Sequence, residues 1–182
     1  METGKLVILS GPSGVGKDTV IEAWRARNPR VQRVVAYTTR HPRPTEQPGI
    51  DYNFVSPERF MTHVDAGDFL EYKEVYGNHY ATPLLDMRRM LDEGKIAILK
   101  IDVQGALTAM DLLPEALSVF ILPPSTEELV RRIRGRGTEN DEAMARRIEN
   151  AHREIAQSEN YRHRIVNDDL ERVVEELERI VG

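Results

Sequence analysis

Cysteine is absent from this 182-residue chain. That excludes disulfides, thiolate nucleophiles and cysteine metal sites, and it suits a reducing compartment, so a cytoplasmic location is expected. No apolar run is long enough to span a bilayer, and no membrane partner is expected. The opening Met1-Glu2-Thr3-Gly4-Lys5 lacks the basic, apolar, small-residue order of a signal peptide. Positive charge is also short: 25 Lys and Arg against 30 Asp and Glu give a net charge of −5. Bulk electrostatics therefore argue against a nucleic-acid partner, and an anionic ligand must be held by local arginines and lysines. The histidines show neither metal-ligand spacing nor a triad pattern. Repeats, low-complexity tracts and flexible linkers are missing too.

What is present begins with Gly11-Pro12-Ser13-Gly14-Val15-Gly16-Lys17. An apolar run, Leu6-Val7-Ile8-Leu9, precedes it, and an amphipathic segment, Thr19–Ala26, follows. Strand, glycine loop and helix in that order predict a phosphate-binding loop, with backbone N–H groups wrapped around a polyphosphate and Lys17 reaching its outer groups. The candidate polyphosphate-binding residues, which the resemblance given below assigns to ATP, are Gly11, Pro12, Ser13, Gly14, Val15, Gly16, Lys17, Asp18 and Thr19. Asp18 stands where a Ser or Thr usually binds Mg²⁺. Two readings stay open: an acidic first-turn residue favoured by the helix dipole, or a carboxylate that approaches the metal.

Hydrophobic residues make up 40% of the chain, enough for the core of one ordinary domain, 1–182. Further apolar runs predict strands at Val34–Tyr37, Ile96–Leu99, Leu117–Leu122 and Arg164–Val166. Helical patterns fall at Leu84–Leu91, Thr126–Arg134, Asp141–Ser158 and Asp169–Val181, the last with a core-facing stripe at Val173, Leu177 and Ile180. The alternation predicts an α/β fold with a parallel sheet covered by helices on both faces. The stretch from about Thr38 to Glu93 breaks the rhythm with short polar strand signals, Tyr52–Val55 and Phe69–Tyr72, and reads as an insertion with a small mixed or antiparallel sheet. Between Arg131 and Arg147 arginines cluster around Gly135-Arg136-Gly137. Most charge runs are solvated faces, but beside a phosphate loop in an acidic chain this one reads as a mobile lid.

Several further motifs lie in register along nearly the whole chain: Tyr37-Thr38-Thr39-Arg40-His41-Pro42-Arg43, Gly49–Val55, Phe69-Leu70-Glu71, Gly77-Asn78-His79-Tyr80, Ile101-Asp102-Val103-Gln104-Gly105 and Val166-Asn167-Asp168-Asp169. With the glycine loop, they resemble the guanylate kinases. The resemblance implies a nucleoside-monophosphate kinase that transfers the ATP γ-phosphate to GMP or dGMP with Mg²⁺. It implies a core over about 1–37, 94–134 and 148–182, a GMP-binding subdomain over about 38–93 and a lid over about 135–147. Arg40, Arg43, Tyr52 and Tyr80 match the residues that hold the GMP phosphate. Glu71, Thr82 and Asp102 match those that read the guanine. Lys17, Arg136 and Arg147 match those that stabilise the transferred phosphoryl group, and Asp18 is the candidate metal residue.

The chemistry agrees with these roles. Guanidinium forks suit a phosphate dianion, and carboxylates accept from the ring N–H and NH₂ of guanine. Three positions depart from the family pattern. Ala36 replaces a frequent serine, Ala81 a glycine, and Lys100 an aspartate near the metal. Lys100 and Asp18 are linked in this reading, either as a relocated carboxylate or as an ion pair. Two rivals are a sugar-phosphate kinase resembling ribose bisphosphate phosphokinase and a catalytically silent scaffold module. The guanine-reading carboxylates argue against the first, and the intact Lys17 in a free-standing chain argues against the second.

Overall fold

The computed structural model describes residues 3–135 and 140–182. Five strands form one parallel sheet in the order β2-β7-β1-β8-β9: β1 (Lys5–Ser10), β2 (Val31–Arg33), β7 (Ile96–Lys100), β8 (Leu117–Leu122) and β9 (His163–Val166). Alternate side chains of these strands enter two different cores. Val7, Leu9, Ile98, Val119 and Ile121 pack beneath α1 (Lys17–Arg27) and α7 (Leu170–Val181). Ile8, Ala97, Leu99 and Phe120 pack on the opposite face with α3 (Leu84–Asp92) and α4 (Val103–Leu112). Both faces exclude water, which is why β1, β7 and β8 read as near-continuous apolar runs rather than alternating ones.

The expected stripe on α7 faces the core: Val173 and Leu177 are fully buried and Ile180 packs against the same cluster. Trp24 on α1 is buried beside it, and its indole N–H donates to Glu178 of α7.

A second, mixed sheet runs in the order β4-β3-β6-β5, from β3 (Tyr37–Thr38), β4 (Asn53–Phe54), β5 (Phe69–Val75) and β6 (Asn78–Pro83). β3 and β4 are parallel, and the other two pairings are antiparallel. Helix α2 (Pro57–Ala66) covers it, with Phe60 fully buried against Phe69. Its start is marked by Ser56, whose hydroxyl accepts from the Arg59 N–H, and by Pro57 in the first turn, and Gly67 ends it at φ 73°.

The expected strand Val34–Tyr37 is not one strand. The apolar run lies on the crossover between the two sheets. Val34 N–H still donates to Ile98 in the first sheet, while the Ala36 carbonyl already accepts from Asn53 in the second. The strand signal at Tyr52–Val55 narrows to β4, and the helix expected to reach Ser158 ends as α6 (Asp141–Ala156), followed by a 3₁₀ turn at Gln157–Asn160. Helix α5 (Thr126–Gly135) and α6 pack on each other through Leu129, Ile133 and Ala151.

Candidate active site

The glycine loop leaves the C-terminal edge of β1 and feeds α1, at the edge of a parallel sheet where α/β proteins bind ligands. Gly14 and Gly16 hold φ of 84° and 98°, a left-handed conformation that a side chain would strain. Gly11 has no room for a methyl, because a Cβ there would stand 2.6 Å from the Ile121 carbonyl oxygen. Asn167, just after β9, pins the loop through a 2.8 Å hydrogen bond from its Nδ2 to the Val15 carbonyl.

Lys17 folds back on this loop. Its Nζ donates to the carbonyls of Gly11 at 2.6 Å and Pro12 at 3.2 Å. Burial, and next the nearby Lys100, lower its pKa to about 8, while Glu154, Asp18 and Asp102 pull the other way. Glu154, on α6, accepts from the Ser13 N–H. Burial raises its pKa, against the opposing effect of Lys17. A carboxylate on a loop amide marks an anion position.

One cleft of about 320 Å³ runs from this loop to the second sheet. At its far end Glu71 of β5 is buried, and its Oε1 accepts a 2.7 Å hydrogen bond from the buried Thr82 hydroxyl of β6. Burial raises the Glu71 pKa, the Thr82 hydrogen bond opposes that, and Asp102 adds to it. Asp102 caps α4 by accepting from the Gln104 N–H at 2.9 Å. Glu71 Oε2 and Asp102 Oδ1 come within 3.0 and 3.1 Å of the point where a Cβ at Gly105 would stand. The missing side chain lets α4 approach the two carboxylates closely.

Between the two ends lie the arginines and tyrosines. Arg40 forms a two-pronged ion pair with Glu46, at 3.0 and 2.8 Å, which raises its pKa. Glu46 Oε2 also accepts from the Arg43 N–H at 2.8 Å, and the Arg43 side chain lines the cleft. The rings of Tyr52 and Tyr80 meet edge-on at 5.9 Å. Burial raises the Tyr52 pKa, so its phenol stays a neutral donor.

The candidate residues Lys17, Asp18, Thr19, Arg43, Tyr52, Glu71, Tyr80 and Asp102 all line this one cleft. Thr82 and Arg40 join it through Glu71 and Tyr80. Arg147 sits half-buried on α6, while Arg136 and the rest of 136–139 lie outside the described residues. Ala36 and Ala81 are buried at the cleft wall, and Ala81 keeps an ordinary strand conformation in which a methyl is accommodated. His79 packs on Phe60 and stands 3.9 Å from Glu74, which is structural work. Glu46 and Glu154 escaped the sequence reading. Both look like ordinary surface acids until the fold brings Arg40 and the loop amide to them.

Asp18 is engaged. Its Oδ1 lies 2.6 Å from Lys100 Nζ and 3.3 Å from Arg33 Nη1. Its partial burial opposes ionisation, but Lys100, through charge and hydrogen bond, outweighs that and holds the carboxyl below its usual range, with Arg33 adding to the effect. No cluster of three or more His, Cys, Asp or Glu converges among the described residues. A carboxylate neutralised by two cations is a poor ligand for a hard divalent ion, so these residues do not fit a resident metal at Asp18.

A glycine loop aimed into a cleft with acidic and basic walls defines an α/β protein built for a polyanionic ligand that also carries hydrogen-bond donors. Comparison with known proteins narrows this. The guanylate kinase family model matches residues 3–182, and the chain belongs to that family. It is 44% identical to the guanylate kinase of Thermosynechococcus vestitus, over 99% of this chain and 94% of that protein. It is 46% identical to that of Nostoc sp. PCC 7120, over 97% and 88%. The crystal structure of guanylate kinase from Anaplasma phagocytophilum superposes with a TM-score of 0.80 at 33% identity, covering 100% of this chain and 86% of that one.

Proposed function

We propose that this chain transfers the γ-phosphate of ATP to GMP or dGMP, giving ADP and GDP or dGDP. The observation that carries this is the layout of one cleft: phosphate loop and Lys17 at one end, Glu71 with Thr82 and Asp102 at the other, Arg43, Tyr52 and Tyr80 between. Guanine presents adjacent N–H and NH₂ donors to paired carboxylates, whereas adenine would set a ring lone pair against them. Magnesium enters as part of the Mg–ATP substrate, where it screens the phosphates.

Phosphoryl transfer depends on positioning and charge compensation. Arg40, Arg43, Tyr52 and Tyr80 hold the GMP phosphate so that one of its oxygens points at the γ-phosphorus. That oxygen forms the new P–O bond as the bond from the γ-phosphorus to the β–γ bridging oxygen breaks, and ADP leaves with the electron pair. The acceptor is a phosphate dianion, so no general base is required. Lys17 stays on the loop side, and Arg136 and Arg147 compensate the charge that develops on the transferred group. In this reading residues of about 38–93 form the GMP-binding part, about 135–147 the closing lid, and the remainder the core. The absence of cysteine supports work in the cytoplasm.

The test is product analysis after mixing the protein with ATP, Mg²⁺ and GMP. Equal amounts of GDP and ADP are expected. ADP without GDP would mean that water, not GMP, is the acceptor.

A further inference from the structure

Lys100 ends β7 at the edge of the parallel sheet that opens on the cleft. Its side chain is 12% exposed, whereas that of its partner Asp18 is 67% exposed. The ammonium thus lies inside the cleft and the carboxylate on the solvent side. Arg33 ends the neighbouring β2 and shares the same carboxylate oxygen at 3.3 Å. Its Nε is buried and has no hydrogen-bond partner among the described residues. Asp51 adds negative charge nearby, but its Oδ2 accepts from the Gln47 N–H.

The same two cations face the ring of Tyr52. Lys100 Nζ stands 5.8 Å from the ring centroid and the Arg33 guanidinium 5.5 Å, with the Arg40 guanidinium also at 5.5 Å. Of these three cations Arg40 is matched by Glu46, whereas Lys100 and Arg33 share the single carboxylate of Asp18, which leaves an attraction for a further anion. An exposed carboxylate is well solvated on release, so exchanging it for a phosphate costs little.

We propose that Lys100 contacts substrate: on binding, its ammonium passes from Asp18 to the phosphate of the nucleotide acceptor, on the side of that phosphate nearest the glycine loop. Asp18 is then a positioning residue that holds Lys100 in the cleft while the site waits. Burial, with Arg33 next to it, works against the charge on Lys100, and a phosphate dianion relieves that more fully than one shared carboxylate. This rests on the reading that GMP is the acceptor.

The experiment compares GMP and guanosine binding by calorimetry in the wild type, Lys100→Met, Lys100→Arg, Asp18→Asn and the Lys100→Met/Asp18→Asn double variant. Lys100→Met is expected to weaken GMP about ten- to a hundredfold, the usual worth of a hydrogen bond to a charged group, and to leave guanosine unchanged. Lys100→Arg keeps most of the GMP affinity. Asp18→Asn tightens GMP only where Lys100 is present. Guanosine serves as the control for a damaged fold. Unchanged GMP binding in Lys100→Met overturns the proposal. So does an equal loss of GMP and guanosine, a loss confined to ATP, or an Asp18→Asn effect that persists without Lys100. Wild-type protein that binds GMP but transfers nothing to it counts against the functional reading, while the binding comparison still decides the role of Lys100.

Discussion

The hydroxyl of Thr82 donates a 2.7 Å hydrogen bond to Oε1 of Glu71 in the buried wall of the cleft. Glu71 Oε2 is left on the side of Asp102 and Gly105. One carboxylate oxygen is spoken for and the other is offered to a ligand. Glu71→Gln keeps an acceptor for Thr82 but turns the other position into a donor facing the guanine donors. We expect kcat/KM for GMP to fall about 10²- to 10⁴-fold. Stability should not fall with it. The folded state raises the Glu71 pKa, so it binds the proton more readily than the unfolded chain does. Ionised Glu71 is therefore a cost at neutral pH, and the amide removes it. Steady-state kinetics and a melting curve on the same sample check both halves. A Tm loss matching the activity loss would make Glu71 merely structural.

Gly105→Ala tests the same wall from the other side. A Cβ there would stand 3.0 Å from Glu71 Oε2, so the carboxylate must shift by a few tenths of an ångström. KM for GMP should rise by about tenfold, with KM for ATP unchanged. Equal effects on the two substrates would contradict the assignment of this end of the cleft to the base.

Glu46 grips Arg40 with both oxygens and also closes the turn at Arg43. Glu46→Ala should release both arginines. We expect KM for GMP to rise about tenfold while kcat changes less, since the chemistry does not touch Glu46. A fall in kcat at unchanged KM would place Glu46 elsewhere in the mechanism.

Lys17 titrates at about 8 in the unliganded cleft. Above that pH the free protein holds it neutral, and a polyphosphate must restore its proton. ATP binding at pH 8 should take up about 0.5 proton, and affinity should weaken as pH rises further. Calorimetry in buffers of different ionisation enthalpy reads this directly. Stability of the unliganded protein moves the opposite way. The folded pKa lies below 10.5, so the unfolded chain binds more protons between about 8 and 10.5 and folding gains as pH rises through that window. A buffer-independent binding enthalpy would contradict the lowered pKa.

Much of this architecture was readable in the chain because burial leaves a periodic trace. β1, β7 and β8 are apolar on both faces, and α7 carries a stripe that points one way. The glycine loop was readable for a different reason: its positive φ angles demand glycine at fixed spacing. Elements held by pairing rather than by patterning were harder. β6 mixes Asn, His, Tyr and Pro, and it becomes a strand only because β3 and β5 flank it. The crossover at Val34–Ala36 looks like a strand because it is apolar, yet its backbone serves two sheets, the Val34 N–H bonding to the first and the Ala36 carbonyl to the second. Acidic partners were hardest of all. Glu46 and Glu154 sit in polar stretches, and only the tertiary fold shows which cation or amide each one meets. The link between Asp18 and Lys100 was visible as a paired departure from the family pattern, and the fold resolves it as an ion pair.

The most direct measurement is ADP release from Mg–ATP with GMP, dGMP, AMP, UMP and ribose 1,5-bisphosphate offered in turn. The cleft predicts fast turnover with GMP or dGMP, and AMP slower by about 10⁴-fold because it leaves the two carboxylates unpaired. Turnover with the sugar phosphate alone, or equal turnover with AMP and GMP, would contradict the account of Glu71 and Asp102 as readers of guanine.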